Sequence, residues 1–188
     1  MPGRISAGEF EMLQEVTSHP SIRFWARDAV IEDLSSIIRI VNSKNNRTSF
    51  GFVPKVVLAD AVSHQRAEGL VSQHRIRVVV NSVEQKVVGF LRAYHRQDGV
   101  TTLHELGVSE DHQNMGLGTL LVEEMIAACR ARGMQHLRLK TLTVSLTNRY
   151  YPRFGFKFVS ELKGYKRPLN LWELALYDSE GNNIDERD

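Results

Sequence analysis

The sequence predicts a mixed α/β domain with a central, mostly antiparallel sheet and one parallel βαβ unit. Three observations carry this expectation. Runs of alternating apolar and polar residues, rich in strand formers, recur from residue 22 to residue 177. Segments between them place apolar residues at helical spacing. An Asp-Gly turn at 98–99 joins two strands tightly, whereas a glycine turn at 116–118 opens a helix between two others.

The elements follow in order. IRFWARDAV (22–30) alternates and reads as a strand. IEDLSSIIRIVNS follows with Ile31, Leu34, Ile37, Ile38 and Val41 at helical spacing, and Asn42, Asn45 and Asn46 favour its termination. RTSFGFVP is a break. Pro54 suits the first turn of a second helix, PKVVLADAVSHQRAEG, which Gly69 would end. RIRVVVNS (75–82) and VVGFLRAYHR (87–96) are strands joined by SVEQK. The Asp-Gly turn in RQDGV then predicts that TTLHELGV (101–108) pairs antiparallel with the strand before it.

The pattern changes at the next helix. Leu117, Leu121, Val122, Met125, Ile126, Ala128 and Cys129 share half a helical wheel, with Thr119, Glu123 and Arg130 opposite and Gly133 at the end. HLRLKTL (136–142) alternates as a strand. Strand, glycine turn, helix and strand make a βαβ unit whose two strands are parallel. A short helical segment around TNRYYPRF, then the strands GFKFVS and NLWELALY, complete the order. Residues 1–20 read as an N-terminal extension, 21–177 as the domain and 178–188 as a polar tail. The last strand could be covered internally or pair across a homodimer.

Composition bounds the function. The 188 residues are 42% hydrophobic and 24% charged, as in an ordinary globular chain. No apolar run approaches the roughly 18–20 residues that cross a bilayer, so no membrane association is expected. The first residues lack the apolar core of a signal peptide. A single cysteine, Cys129, forms neither an internal disulfide framework nor a cysteine zinc cluster, and a reducing, cytoplasmic compartment is expected. Its place on the apolar half of a helix makes it a structural thiol. His64, His74, His95, His104 and His112 show neither HExxH nor a His-x-His pair, so no metal site is expected. A net charge of +2 does not demand a nucleic acid partner. One local excess stands out: Arg149, Arg153, Lys157, Lys163, Lys166 and Arg167 face only Glu161. It reads either as a solvated face or as a landing surface for an anionic ligand.

The stretch QNMGLG (113–118) carries the most chemistry. A helix N-terminus offers unpaired backbone N–H groups and a partial positive charge, which phosphate oxygens seek. Gly116 and Gly118 leave room for that approach. The loop is neither GxxxxGK[ST] nor GxGxxG with a downstream ribose-binding acid. Taken alone, it is equally a tight strand-to-helix turn.

In context, LHELGVSEDHQNMGLGTLLVEEMIAACRARGM resembles the cofactor motif of the GNAT N-acyltransferase superfamily. Gly107-Val108 ends the strand, Ser109 to His112 link, and Gln113-Asn114-Met115-Gly116-Leu117-Gly118 opens the helix. Downstream, TNRYYPRFGF is similar to the superfamily's pattern of tyrosine, three residues, Gly-Phe, with Tyr151 and Gly155-Phe156 at the matching positions. The resemblance covers about residues 21–177. It implies a GNAT-like fold with splayed central strands and acetyl-coenzyme A as cofactor. It further implies that residues 113–119 hold the diphosphate and that the backbone at Leu106, Gly107 and Val108 pairs with the pantetheine arm like an added strand. The basic cluster beginning at Arg149 and Arg153 would neutralise the ribose phosphate. One departure is visible. The superfamily often has an asparagine seven positions before the tyrosine; Val144 stands there, and Asn148 or Ser145 is left to assist.

Acyl transfer to an amine needs a neutral amine, a positioned nucleophile and a proton for the departing thiolate. The resemblance implies Tyr151 as that acid. Glu105 is the favoured base, directly or through water. His104 lies on the opposite face of a regular strand, so only one of the two faces the cleft unless a bulge intervenes. The expected acceptor is a primary amine on a small molecule or peptide, with Phe50, Phe52 and Tyr165 as walls. A nucleobase amine is the remoter acceptor. The rival reading is a coenzyme A-binding module without catalysis, acting as a sensor or partner.

Overall fold

The computed structural model describes residues 16–19, 22–44, 46, 55–65, 74–178, 181 and 184. Its eight strands are β1 (Val16–His19), β2 (Ile22–Asp28), β3 (His74–Asn81), β4 (Lys86–His95), β5 (Val100–Val108), β6 (His136–Leu142), β7 (Lys157–Leu162) and β8 (Leu169–Ala175). They form one sheet in the order β1-β2-β3-β4-β5-β6-β8-β7. Every neighbouring pair is antiparallel except β5 and β6. The helices are α1 (Leu34–Val41), α2 (Lys55–Gln65) and α3 (Leu117–Ala131). The expected mixed fold with a single parallel βαβ unit is therefore present.

Each face of the sheet's centre buries a different set of side chains. Val79, Leu91, Ala93 and Leu103 pack with the α3 residues Leu117, Leu120, Leu121, Val122, Met125 and Cys129. Val78, Val80 and Phe90, from alternate positions, pack with Ile37, Ile40 and Val41 of α1 and Leu58, Ala61 and Val62 of α2. Strand alternation thus divides one apolar run between two helical layers. Gly107 sits where α1 crosses β5: a Cβ there would lie 2.9 Å from Phe90 and 3.1 Å from Ile40. Arg77 bridges the layers, reaching Asp28 on β2 at 3.0 Å and Glu124 on α3.

Several expectations change. The sheet starts at Val16, inside the stretch expected to be an extension, because β1 pairs antiparallel with β2. The segment around TNRYYPRF is two 3-10 turns, Leu146–Arg149 and Tyr151–Phe154, broken at Tyr150. The last strand is interior: β8 lies between β6 and β7, which removes it as a dimer edge. Pro54 and Gly69 lie outside the described residues. Among the described residues no helix is long and apolar enough to cross a membrane.

Behind β5 a buried polar chain runs through the core. The Thr101 hydroxyl accepts from the Cys129 thiol at 3.3 Å and stands 2.8 Å from His95 Nδ1. Burial pushes the thiol up to about 11, as a structural cysteine requires. Burial, then the nearby Arg132 and Arg75, pushes the His95 imidazole from 6.5 down to about 4. The unfolded chain therefore takes up a proton below 6.5 that the native state refuses until about 4. Stability should fall across that window by about 1.4 kcal/mol per pH unit. Denaturant midpoints measured from pH 7 to pH 4 should show this slope, flattened in a His95→Asn variant.

Candidate active site

The parallel pairing of β5 with β6 stops at Leu103 opposite Leu139. Beyond that point β5 continues to Val108 and β6 to Leu142 without each other. The gap opens a cleft of about 900 Å³ that runs from the glycine loop to Leu169. The splayed strands implied by the resemblance are thus present, and they have a local cause. Arg92 pairs with Glu105 while its neighbour Ala93 pairs with Leu103, leaving His104 as the extra residue of a bulge. The bulge rotates His104 and Glu105 toward the same cleft, and both line it. Alternation alone predicts otherwise.

Helix α3 points its N-terminus into this gap. Its first bond runs from the Leu120 N–H to the Gly116 carbonyl at 3.0 Å. The amides of Leu117, Gly118 and Thr119 consequently have no partner within the helix. No side chain caps that end, and no acidic residue occupies its first turn. Each glycine has a separate reason. Gly116 has φ of 80°, a left-handed conformation that a side chain strains. Gly118 is ordinary in conformation, but a Cβ there would lie 2.9 Å from the Tyr150 hydroxyl. Such an uncapped helix end, cleared of side chains at Gly116 and Gly118, suits a diphosphate.

The structure brings most of the expected residues to the cleft. Leu106, Val108, Gln113, Asn114, Gly116, Leu117, Gly118 and Thr119 line it, with Tyr151, Arg153 and Glu105. Gly107 and Met115 do not; the first faces Phe90 and α1, and the second packs against the α3-side core. Asn148 is a correction. Its carboxamide donates to the carbonyls of Leu142 at 3.1 Å and Thr143 at 2.8 Å, and its Oδ1 accepts from Thr141. It pins the end of β6 and is spent there, leaving Ser145, Thr147 and Arg149 to line the cleft beside it. Tyr165 is fully exposed at the β7–β8 turn and is no cleft wall. Phe50 and Phe52 lie outside the described residues.

Two tyrosines stand together at the cleft. Tyr151 packs edge-on against Phe156 at 5.8 Å and Tyr150 at 5.2 Å. Burial, with Tyr150 beside it, pushes the Tyr151 phenol well above its ordinary value. Tyr150 is also raised by burial, and the Arg153 guanidinium lies over its ring at 4.9 Å. Sequence reasoning missed Arg92. Its guanidinium grips both Glu105 oxygens, and each side chain is only 10% exposed. An arginine amid the apolar residues of VVGFLRAYHR was the available signal, because a buried cation requires a carboxylate. His104 is pushed below its ordinary value by burial first and by Arg92 second. Among the described residues no cluster of histidine, cysteine and carboxylate groups could hold a metal.

A sheet that parts between parallel strands, with a bare helix end aimed into the gap, is a geometry that suits a diphosphate-bearing carrier. The model of the acetyltransferase (GNAT) family matches residues 47–156, and the chain belongs to that family. Acetyl-coenzyme A is the family's cofactor, and the cleft residues fit it. No curated protein sequence matches the chain. Solved structures share the fold. The ribosomal-protein-S18-alanine N-acetyltransferase from Escherichia coli is 16% identical, with TM-score 0.66 over 88% of this chain and 98% of that one. The paia N-acetyltransferase from Thermoplasma acidophilum, solved in complex with coenzyme A, is 16% identical, with TM-score 0.67 over 81% and 98%. Ard1 from Thermoplasma volcanium is 19% identical, with TM-score 0.67 over 82% of this chain and 99% of that one.

Proposed function

We propose that this acetyltransferase moves the acyl group of acetyl-coenzyme A directly to a primary amine. The observation that supports it most is the uncapped α3 N-terminus opening onto a cleft that also holds Tyr151, His104 and Glu105. Bound there, acetyl-coenzyme A would supply an acyl group activated as a thioester. The amides of Leu117, Gly118 and Thr119 would grip the diphosphate, and the edge of β5 at Leu106 and Val108, which β6 no longer pairs, would orient the arm. Arg153, which lines the cleft, would serve the ribose phosphate.

Proton movement falls to the cleft side chains. Tyr151 Oη, kept protonated by its raised pKa, is the group that would give its proton to the sulfur as the thioester breaks. Glu105 is held by Arg92 and sets the electrostatics of the site. The imidazole of His104, on the same side of the bulge, takes the proton of the attacking amine. Its lowered pKa keeps it neutral, with a free lone pair, through the neutral range.

The test is thiol release against a panel of amines. Release that depends on the amine supports the enzyme; coenzyme binding with no release from any amine supports the non-catalytic module instead. The pH profile separates the two bases. For His104, kcat/KM should fall as pH drops through a value below 6.5, and that limb should vanish in His104→Ala along with about 100-fold of rate. If the limb stays in His104→Ala and vanishes in Glu105→Gln, the base is Glu105.

A further inference from the structure

The far side of β6 and β8 has a chemistry that narrows the acceptor. Leu139, Trp172 and Leu174 turn toward α3 and are buried. The alternate positions carry Lys140 opposite Leu171 and Leu142 opposite Leu169. Lys140, Leu142 and Leu169 also line the cleft, so this strip leads straight from the acyl-transfer site. At its end the β7–β8 turn presents Lys163, Tyr165, Lys166 and Arg167, all exposed, with Tyr165 at 100%. The turn is tied to the strip through Thr143 N–H, which donates to the Pro168 carbonyl at 3.4 Å.

These cations lack carboxylates. Among the described residues, the ion pairs involve Arg27, Arg75, Arg77, Lys86, Arg92, Arg96, Arg138 and two histidines, and none of Lys140, Lys163, Lys166 or Arg167. Glu173 is engaged by Arg138. Glu161 pairs with Asn170, itself opposite Thr141, and so shares the other face of the sheet.

We propose that the acceptor amine is carried by an acidic peptide or protein segment, which lies along the Lys140–Leu171 strip and under the Lys163–Arg167 turn. The inference rests on the acyl-transfer reading above. Its carboxylates meet the unmatched cations, and its apolar side chains meet Leu142, Leu169, Leu171 and Tyr165. The same positive field disfavours an ammonium and so helps hold the attacking amine neutral. It repels a free polyamine. Cleft, strip and turn together give an extended chain several points of attachment, which a single amino acid lacks. A nucleic acid calls for a longer basic stripe than these four cations supply.

The experiment uses the full chain loaded with acetyl-coenzyme A and matched peptides, each with one primary amine, flanked by leucine with glutamate, glutamine or arginine. Thiol release should give the glutamate peptide a kcat/KM about tenfold or more above the arginine peptide at low salt, with the gap shrinking in high salt. The triple variant K163E/K166E/R167E should reverse the order without changing calorimetric affinity for coenzyme A. Equal rates, preference for the arginine peptide, free glutamate matching the peptide, or an RNA oligonucleotide competing more strongly than the glutamate peptide would each overturn the proposal. Fluorescence anisotropy of the peptides on the loaded protein separates the two claims. Selective binding with no thiol released from any peptide would overturn the acyl-transfer reading and this proposal with it. Thiol release without charge preference would overturn this proposal alone.

Discussion

Gly116→Glu should lower affinity for coenzyme A by about 100-fold. Gly116 caps α3 with φ of 80°, so any side chain there is strained. The left-handed conformation costs an L-residue roughly 1–2 kcal/mol, which shifts the loop off its present path. A carboxylate at the same point competes with the diphosphate for the helix end, a term worth up to about 2 kcal/mol. Together these come to roughly 3 kcal/mol, or about two decades of binding. Gly133→Ala is the matched control. Gly133 follows the other end of α3 with φ of 67° and open space around it. That variant should lose about 1 kcal/mol of stability and bind coenzyme A as the parent does. Isothermal titration on both variants checks the pair.

Tyr151→Phe should reduce kcat by about 100-fold or more, with little change in affinity for acetyl-coenzyme A. The ring contacts with Phe156 and Tyr150 survive the change, because only the hydroxyl is removed. Tyr150→Phe should behave differently. The Tyr150 hydroxyl lies over Gly118 at the diphosphate loop, so its loss should move coenzyme affinity more than kcat. Steady-state thiol release, run with saturating acetyl-coenzyme A, separates the two tyrosines. Equal losses of kcat in both variants would remove the distinct role of Tyr151.

The parts of this fold that depend on local pattern were legible in the sequence. Leu117, Leu121, Val122, Met125 and Cys129 recur at helical spacing, and all are buried on α3. The Asp-Gly turn joins an antiparallel pair, and the glycine turn joins a parallel one. What depended on distant partners was not legible. β1 is four residues, VTSH, too short and polar to announce a strand. The insertion of β8 between β6 and β7 leaves no local mark. The bulge at His104 breaks strict alternation through pairing with β4, so the sequence put His104 and Glu105 on opposite faces. Asn148 stood near the expected position for a cofactor ligand, yet three nearby backbone and hydroxyl groups claim its carboxamide. Spacing shows which residue types are near one another, but not which hydrogen bonds they have already made.

The central claim is that the free amides at the start of α3 grip a diphosphate. Calorimetry of the unaltered protein with coenzyme A, set beside pantetheine, which lacks the diphosphate, tests it most directly. The account predicts saturable one-site binding of coenzyme A, at least about 100-fold tighter than pantetheine. No heat with coenzyme A, or equal affinity for the two compounds, would contradict it.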